Sequence, residues 1–245
     1  MGTAFSFIHA ADLHLDSPFR GMGYIESLAE GEFKHVFQRL RDCTFIALTR
    51  LIDLCLEEKV EFLLLAGDIY DVAARSLRAQ LIFVDEMHRL AEAGIKAYII
   101  HGNHDFTAGW RANLEFPETV HVFSDREVEC CTVMKQGREI ARVCGISYPQ
   151  AAVNENLSAR FVKPPGDAFS IALLHANVGS IEGYDNYSPC KLEELLAKGF
   201  DYWALGHIHS LTVLHTRYAG VVYPGCHQGR SVREMGAKGC ILARV

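Results

Sequence analysis

Five short, nearly continuous apolar runs in this chain each end in a loop of carboxylates, imidazoles and glycines: Phe5 to Ala10, Glu61 to Ala66, Lys96 to His101, Ser170 to His175 and Tyr202 to Leu205. Strands that are apolar along their whole length are buried on both faces, the habit of a parallel sheet covered by helices. Two amphipathic stretches separate the first three runs. One places Phe33, Val36, Phe37, Leu40, Thr44, Ala47, Leu48, Leu51, Ile52 and Cys55 on one helical face. The other carries Leu77, Leu81, Val84, Met87 and Ala91, with Gly94 closing it. The opening part is therefore βαβαβ, and the fold class is α/β.

After about residue 117 the runs come closer together. Val120 to Phe123, Val128 to Met134 and Glu139 to Ile146 read as strands, with Lys135-Gln136-Gly137 as a hairpin turn. A helix is expected over Leu192 to Ala197. Val213 to Leu214, Val221 to Tyr223 and Cys240 to Val245 are expected to complete a second strand set. Lys163-Pro164-Pro165-Gly166 reads as a surface turn, so residues 1–245 are expected to form one α/β domain holding two sheets.

Composition narrows the setting. An apolar share of 49% in 245 residues excludes a disordered or collagen-like chain. No stretch approaches eighteen uninterrupted apolar residues, so no membrane span is expected. The opening residues lack a basic and an apolar signal segment, and a cytoplasmic location is expected. The eight cysteines contain no Cys-x-x-Cys pair and are expected to be reduced, mostly buried small hydrophobes. A net charge of −6 argues against non-specific adhesion to nucleic acid, while leaving room for a local positive site.

The five loops carry Asp12-x-His14, Gly67-Asp68-x-x-Asp71, Gly102-Asn103-His104-Asp105, His175, and Gly206-His207-Ile208-His209. Loops at the carboxyl ends of strands in an open α/β sheet converge on one crevice. Imidazole, carboxylate and carboxamide donors without thiolate suit manganese, iron or zinc. On an extended strand end, residues i and i+2 point the same way, so Asp12 with His14, and His207 with His209, can each present a pair. Gly67, Gly102 and Gly206 are expected to let the chain turn as it leaves a strand. Asp12, His14, Asp68, Asn103, His175, His207 and His209 are too many for one ion but suit two, roughly 3.5–4 Å apart, if a carboxylate bridges. Asp68, in the central loop, is the choice. Two dipositive ions less Asp12, Asp68 and a hydroxide leave a pocket of about +1, which attracts a phosphodiester.

This ordered set resembles the calcineurin-like metallophosphoesterases. The wording HAADLHLDSPF (9–19), FLLLAGDIYD (62–71), GNHD (102–105), DYWALGHIH (201–209) and YPGCHQGRSVREMGAKGC (223–240) is similar to the SbcD- and Mre-type DNA-repair exonuclease branch, and within it to the YhaO-like group. The resemblance runs from residue 5 to 245. It implies a four-layer αββα sandwich. It implies one ion on Asp12, His14, Asp68 and His209 and another on Asp68, Asn103, His175 and His207, with manganese the expected metal. It makes His104 a catalytic histidine outside the ligand set. Asp105 would then orient that imidazole or anchor the loop, and Asp71 would support from behind; loop capping is the alternative for both.

Of the remaining histidines, His9 and His101 are expected in the core or behind the ligands, and His35, His88, His121 and His215 on the surface. Arg230, Arg233 and Lys238 are read either as phosphate contacts or as a solvated loop answered by Glu234. Cys226 and His227 depart from the branch's usual small or polar residues and put the substrate rim in doubt. The family's capping domain and its segment for an SMC-like ATPase partner are expected to be absent from these 245 residues, leaving a truncated core or a minimal member. The implied function is a two-metal phosphodiesterase acting on DNA. The alternatives are a metallophosphoesterase of phosphomonoesters, cyclic nucleotides or other small diesters, and a DNA-binding scaffold with an idle nuclease.

Overall fold

The computed structural model describes residues 3–20, 34–71, 76–109, 112, 114–217 and 219–245. Among these, the strands form two mixed sheets, as expected for the sandwich. The first has the order β11-β1-β2-β3-β4, from Ile241–Arg244, Ser6–Ala10, Phe62–Ala66, Lys96–Ile100 and Val120–Val122. The second has the order β5-β6-β7-β8-β10-β9. Its strands are Glu129–Lys135, Arg138–Gly145, Phe169–His175, Tyr202–Gly206, Gly220–Tyr223 and Thr212–His215, the last being β9. β1 to β4 run parallel, and β6, β7, β8 and β10 run parallel, so the loops that leave β1, β2, β3, β7 and β8 can share one rim.

The fully apolar strands divide their side chains between two cores by period-two alternation. Ile8, Leu63, Leu65, Ala97 and Ile99 face helices α2 (Cys43–Glu58) and α3 (Leu77–Glu92). Phe7, Phe62, Leu64, Tyr98 and Ile100 face the second sheet, meeting Val143, Ile171, Leu173 and Ala204. Phe7 and Phe62 stack at 5.1 Å between centroids, and burying one such ring stabilises by roughly 1.5–3 kcal/mol. A third core, with Trp203, Tyr148, Phe161 and Phe200, covers the outer face of the second sheet under a short 3-10 turn, Leu157–Arg160, and helix α4, Leu192–Ala197. The hairpin turns on Gln136 and Gly137, both at positive φ (+50° and +76°), the geometry of a two-residue hairpin loop.

Several expectations are corrected. The third run after residue 117 does not open the second set: β4 extends the first sheet beside β3, and β11 closes that sheet antiparallel to β1. Strand partners are chosen by non-local register, which close spacing does not encode. The first amphipathic stretch is two helices, α1 (Lys34–Arg41) and α2, parted at Asp42, whose carboxylate accepts from Gln38 (2.8 Å) and Arg78 (2.7 Å). Such side-chain bonding competes with helix continuation. α1 buries none of its residues and Val36 is exposed; Phe33 lies outside the described residues. In α3, Leu77 and Leu81 are exposed, and Ala79, Phe83 and Leu90 join Val84 and Met87 in the buried face. Finally, Cys130 and Cys144, directly opposite across β5 and β6, form a disulfide, so not every cysteine is a free thiol. Cys55, Cys190 and Cys226 are buried; Cys43, Cys131 and Cys240 are half-buried. No helix among the described residues is long and apolar enough to cross a membrane.

Candidate metal centre

The ladder between β1 and β2 continues past both strand ends. Asp12 N–H donates to the Gly67 carbonyl (3.1 Å), His14 N–H to Asp68 (3.0 Å) and Leu15 N–H to Ile69 (2.9 Å). The two loops are thus held edge to edge while their side chains turn inward. They do this by strain: Asp12, His14, Asp68 and His207 have φ of +53°, +44°, +54° and +102°. A non-glycine residue there costs on the order of 1–3 kcal/mol, and such residues cluster at functional sites. The expected extended i, i+2 geometry is therefore corrected, since the pairs converge through left-handed backbone. Two of the glycines also act otherwise than expected. Only Gly67 (φ +89°) turns left-handed; a Cβ on Gly102 would strike Asp68 and His175, and one on Gly206 the Ala66 carbonyl. There the lack of a side chain permits close approach.

The structure brings all seven predicted donors together, in two groups that share Asp68. In one, His14 Nε2 lies 3.3 Å from His209 Nε2 and 3.8 Å from Asp68 Oδ2, and His209 Nε2 lies 3.9 Å from Asp12 Oδ1. In the other, His175 Nε2 lies 3.5 Å from Asp68 Oδ2 and 3.0 Å from Asn103 Oδ1, with His207 Nδ1 3.2 Å from the same carboxamide oxygen.

Hydrogen bonds behind these rings decide which nitrogen carries a lone pair. His175 Nδ1 donates to the Ala66 carbonyl (2.9 Å), His207 Nε2 to the Asp185 carbonyl (2.7 Å), and His209 Nδ1 to Glu234 (2.7 Å). In all three the opposite nitrogen, a lone pair, faces the cluster. Outer partners of this kind orient metal-binding histidines. Burial pulls the His175 and His207 imidazoles down to about 4 and His14 well below its ordinary range, keeping the neutral, ligand-competent form. Burial pushes Asp68 up to about 6, and burial with the neighbouring Asp68 charge pushes Asp12 well above the carboxylate range. Lone pairs facing lone pairs beside two buried carboxylates are unfavourable without a cation between them, so the donor set fits divalent ions.

His104 borders this cluster. Its backbone N–H donates to Asp68 Oδ1 (2.9 Å), and its ring stands edge-on to His14 at 4.9 Å. Its Nδ1 lies 3.3 Å from Asp71. Burial pulls this imidazole down, but the Asp71 hydrogen bond and the Asp68 charge outweigh it and raise it. Asp71, then, is the residue that orients His104. The expectation that Asp105 orients it is corrected. Asp105 accepts from the backbone N–H of Gly102 (2.7 Å), Asp68 (3.2 Å) and Ile69 (2.8 Å), pinning two loops together. Burial pushes its carboxyl up, yet His101 at 3.1 Å and those amides bring it down to about 2.

The loop before β11 contributes more than expected. Arg230 is buried, with Nη1 3.2 Å from Asp71 and 3.4 Å from Ser17, so it is neither a solvated residue nor a contact at the rim. Glu234 accepts from His209 Nδ1 and from the Arg230 backbone N–H (2.7 Å); burial pushes its carboxyl up, and the His209 hydrogen bond outweighs this, taking it to about 2. Lys238 donates to the His209 carbonyl (3.3 Å). Cys226 and His227 do not form the rim: both are buried, Cys226 bridging to Ala11 and His227 lying beside α2. His9 is buried against Tyr202 and Leu205, and His101 against Asp105. His35 and His88 are exposed, whereas His121 (3.2 Å from Glu129) and His215 are half-buried. Sequence reasoning missed Tyr184 and Asp185. Tyr184 accepts from the His209 N–H (3.1 Å) and packs on both His207 and His209. Their stretch has no motif to reveal it. These residues and the donors line a cavity of about 480 Å³.

Two paired sheets whose strand-end loops gather buried imidazoles, carboxylates and a carboxamide around a shared aspartate define the phosphoesterase class built on a dimetal centre. The chain matches the calcineurin-like phosphoesterase family over residues 5–211 and belongs to it, a family of metal-dependent hydrolases of ester bonds. It is similar to the metallophosphoesterase YhaO of Bacillus subtilis (strain 168), at 43% identity over the whole of this chain and 58% of that protein. It is also similar to the DNA double-strand break repair protein Mre11 of Sulfurisphaera tokodaii, at 31% identity over 67% of this chain and 42% of that protein. The chain thus spans about half the length of these relatives. Among solved structures, a dimetal phosphatase from Danio rerio superposes with a TM-score of 0.50 at 12% identity, covering 91% of this chain and 87% of that one. That likeness concerns the fold alone.

Proposed function

We propose that this chain is a two-metal phosphodiesterase that cleaves DNA. The observation that carries the reading is the Asp68 carboxylate, set within 3.8 Å of His14 and 3.5 Å of His175, between two complete donor groups. Asp12, His14, Asp68 and His209 would hold one divalent ion and Asp68, Asn103, His175 and His207 the other, manganese being the metal proposed for both. Bound ions would supply Lewis-acid stabilisation of phosphoryl charge and activation of water.

The chain's own residues do the rest. His104, oriented by Asp71 and open to the cavity, donates its proton to the departing 3′ or 5′ oxygen as the P–O bond breaks. Asp105 keeps the two loops in register. Glu234, Asp185 and the Ala66 carbonyl hold the histidine tautomers. DNA as the substrate is supported by the likeness to Mre11 proteins, DNA itself being the partner proposed. A cytoplasmic location accords with that substrate. An SMC-like ATPase would engage parts of the relatives that lie outside this alignment.

The test is an assay of radiolabelled duplex and single-stranded DNA beside bis-p-nitrophenyl phosphate, with manganese and with chelator. DNA cleavage that needs metal is expected. Turnover of the small diester with none of DNA would overturn the DNA reading in favour of a general metallophosphoesterase. Loss of both activities in metal-loaded protein would favour an idle scaffold.

A further inference from the structure

Arg20 and Arg233 both line the cavity that holds Asp68, Asn103 and His104. They are distant in sequence, but their backbones are joined. Arg20 N–H donates to the Arg230 carbonyl at 2.7 Å, Arg20 bridges to Ser231 as a short parallel ladder, and Arg233 N–H donates to Ser231 Oγ at 3.2 Å. Both side chains are exposed, and neither has an ion pair among the described residues. The nearby carboxylates are engaged elsewhere. Asp71 binds Arg230 and His104, Glu234 binds His209, and the Asp185 carboxylate lies beside Tyr187 on the facing wall. In a chain of net charge −6, this rim keeps two uncompensated guanidinium groups.

Charge bookkeeping shows what they are for. A centre of two divalent ions, Asp12, Asp68 and a hydroxide carries about +1, which one scissile diester phosphate neutralises. Two further cations on the same rim would then repel unless more anionic charge arrived with the substrate. Guanidinium forks match phosphate oxygens in pairs, and phosphate contacts set position without reading sequence.

We propose that Arg20 and Arg233 form a second phosphate subsite, which takes a backbone phosphate neighbouring the scissile one and so selects polynucleotides over isolated diesters. This rests on the phosphodiesterase reading above. The probe is a fluorescein-labelled, phosphorothioate-linked hexathymidylate, which resists hydrolysis. Its binding to the full chain in manganese is followed by anisotropy across a salt series. Each lost phosphate contact on a single strand lowers the slope of log K against log salt by about 0.7. The Arg20→Ala/Arg233→Ala variant should therefore show a slope shallower by about 1.4 and an affinity lower by about tenfold or more. Arg20→Lys/Arg233→Lys, which keeps the charge and loses the fork, should restore most of the slope. A slope and affinity unchanged in the alanine variant, or no binding by the parent protein, overturns the subsite. DNA cleavage measured alongside separates the two readings: binding that depends on the arginines without cleavage sinks the nuclease and spares the subsite. Cleavage with arginine-independent binding does the reverse.

Discussion

Replacing His104 with alanine separates proton transfer from metal binding. Three features of the structure set the magnitude. The backbone N–H of residue 104 still holds Asp68 at 2.9 Å whatever the side chain, so the shared carboxylate keeps its position. Asp71 loses one partner and keeps Ser17 (3.1 Å) and Arg230 (3.2 Å). The ring is already 32% exposed, so little apolar burial is lost. Losing one such hydrogen bond costs about 0.5–1.5 kcal/mol, which for a chain of this size lowers Tm by about 6 °C at most. Losing a general acid lowers the rate by about 10²–10⁴-fold, or about 3–5 kcal/mol of transition-state stabilisation. His104→Ala should thus bind two manganese ions per chain, melt within a few degrees of the parent, and turn over DNA slower by that factor. Metal content by elemental analysis, melting by calorimetry and rate are read on one preparation. Loss of an ion would refute the reasoning and make His104 a ligand, an outcome the nearness of His14, Asp68 and His104 nitrogen and oxygen atoms (within 4.8 Å) makes worth measuring.

Asp68→Asn should reduce both metal stoichiometry and turnover more than any other single ligand change, and calorimetry showing two undiminished manganese sites would count against the shared carboxylate. Glu234→Gln should weaken manganese binding by about 10–100-fold, because it loosens the ring of His209 without touching a predicted ligand atom; an unchanged binding isotherm would remove Glu234 from the site. Gly206→Ala places a methyl against the Ala66 carbonyl that fixes the His175 tautomer, and should cost at least about 1–3 kcal/mol by denaturant titration, with a normal midpoint contradicting the packing. His9, pulled down to about 3 by burial, stays neutral in the folded chain while the unfolded chain protonates below about 6.5. Stability therefore falls as pH drops through that value. Between pH 6.5 and 5 the loss from this group is about 2 kcal/mol, and metal-free His9→Gln should show a correspondingly flatter pH dependence of stability.

The positions of the strands and of the seven donors were legible in the sequence because both signals are local. A continuous apolar run records burial on two faces, and Asp-x-His, Gly-Asp, Gly-Asn-His-Asp and Gly-His-x-His each sit where such a run stops. The hairpin at Gln136-Gly137 was legible for the same reason, since its turn lies within three residues. Everything that depends on which distant segment lies alongside was decided by the tertiary structure. β4 and β11 joined the first sheet through ladders to β3 and β1, and Cys130 met Cys144 because β5 and β6 adopt one register. Gly102 and Gly206 are glycines because other loops press against them. Asp71 took the role expected of Asp105 for a geometric reason. Adjacent side chains diverge, so Asp105 faces the backbone amides behind its own loop, while Asp71, from the neighbouring strand's loop, faces the ring of His104. Glu234 and Tyr184 carry no motif, and only the folding of their loops against His209 gives them a place at the site.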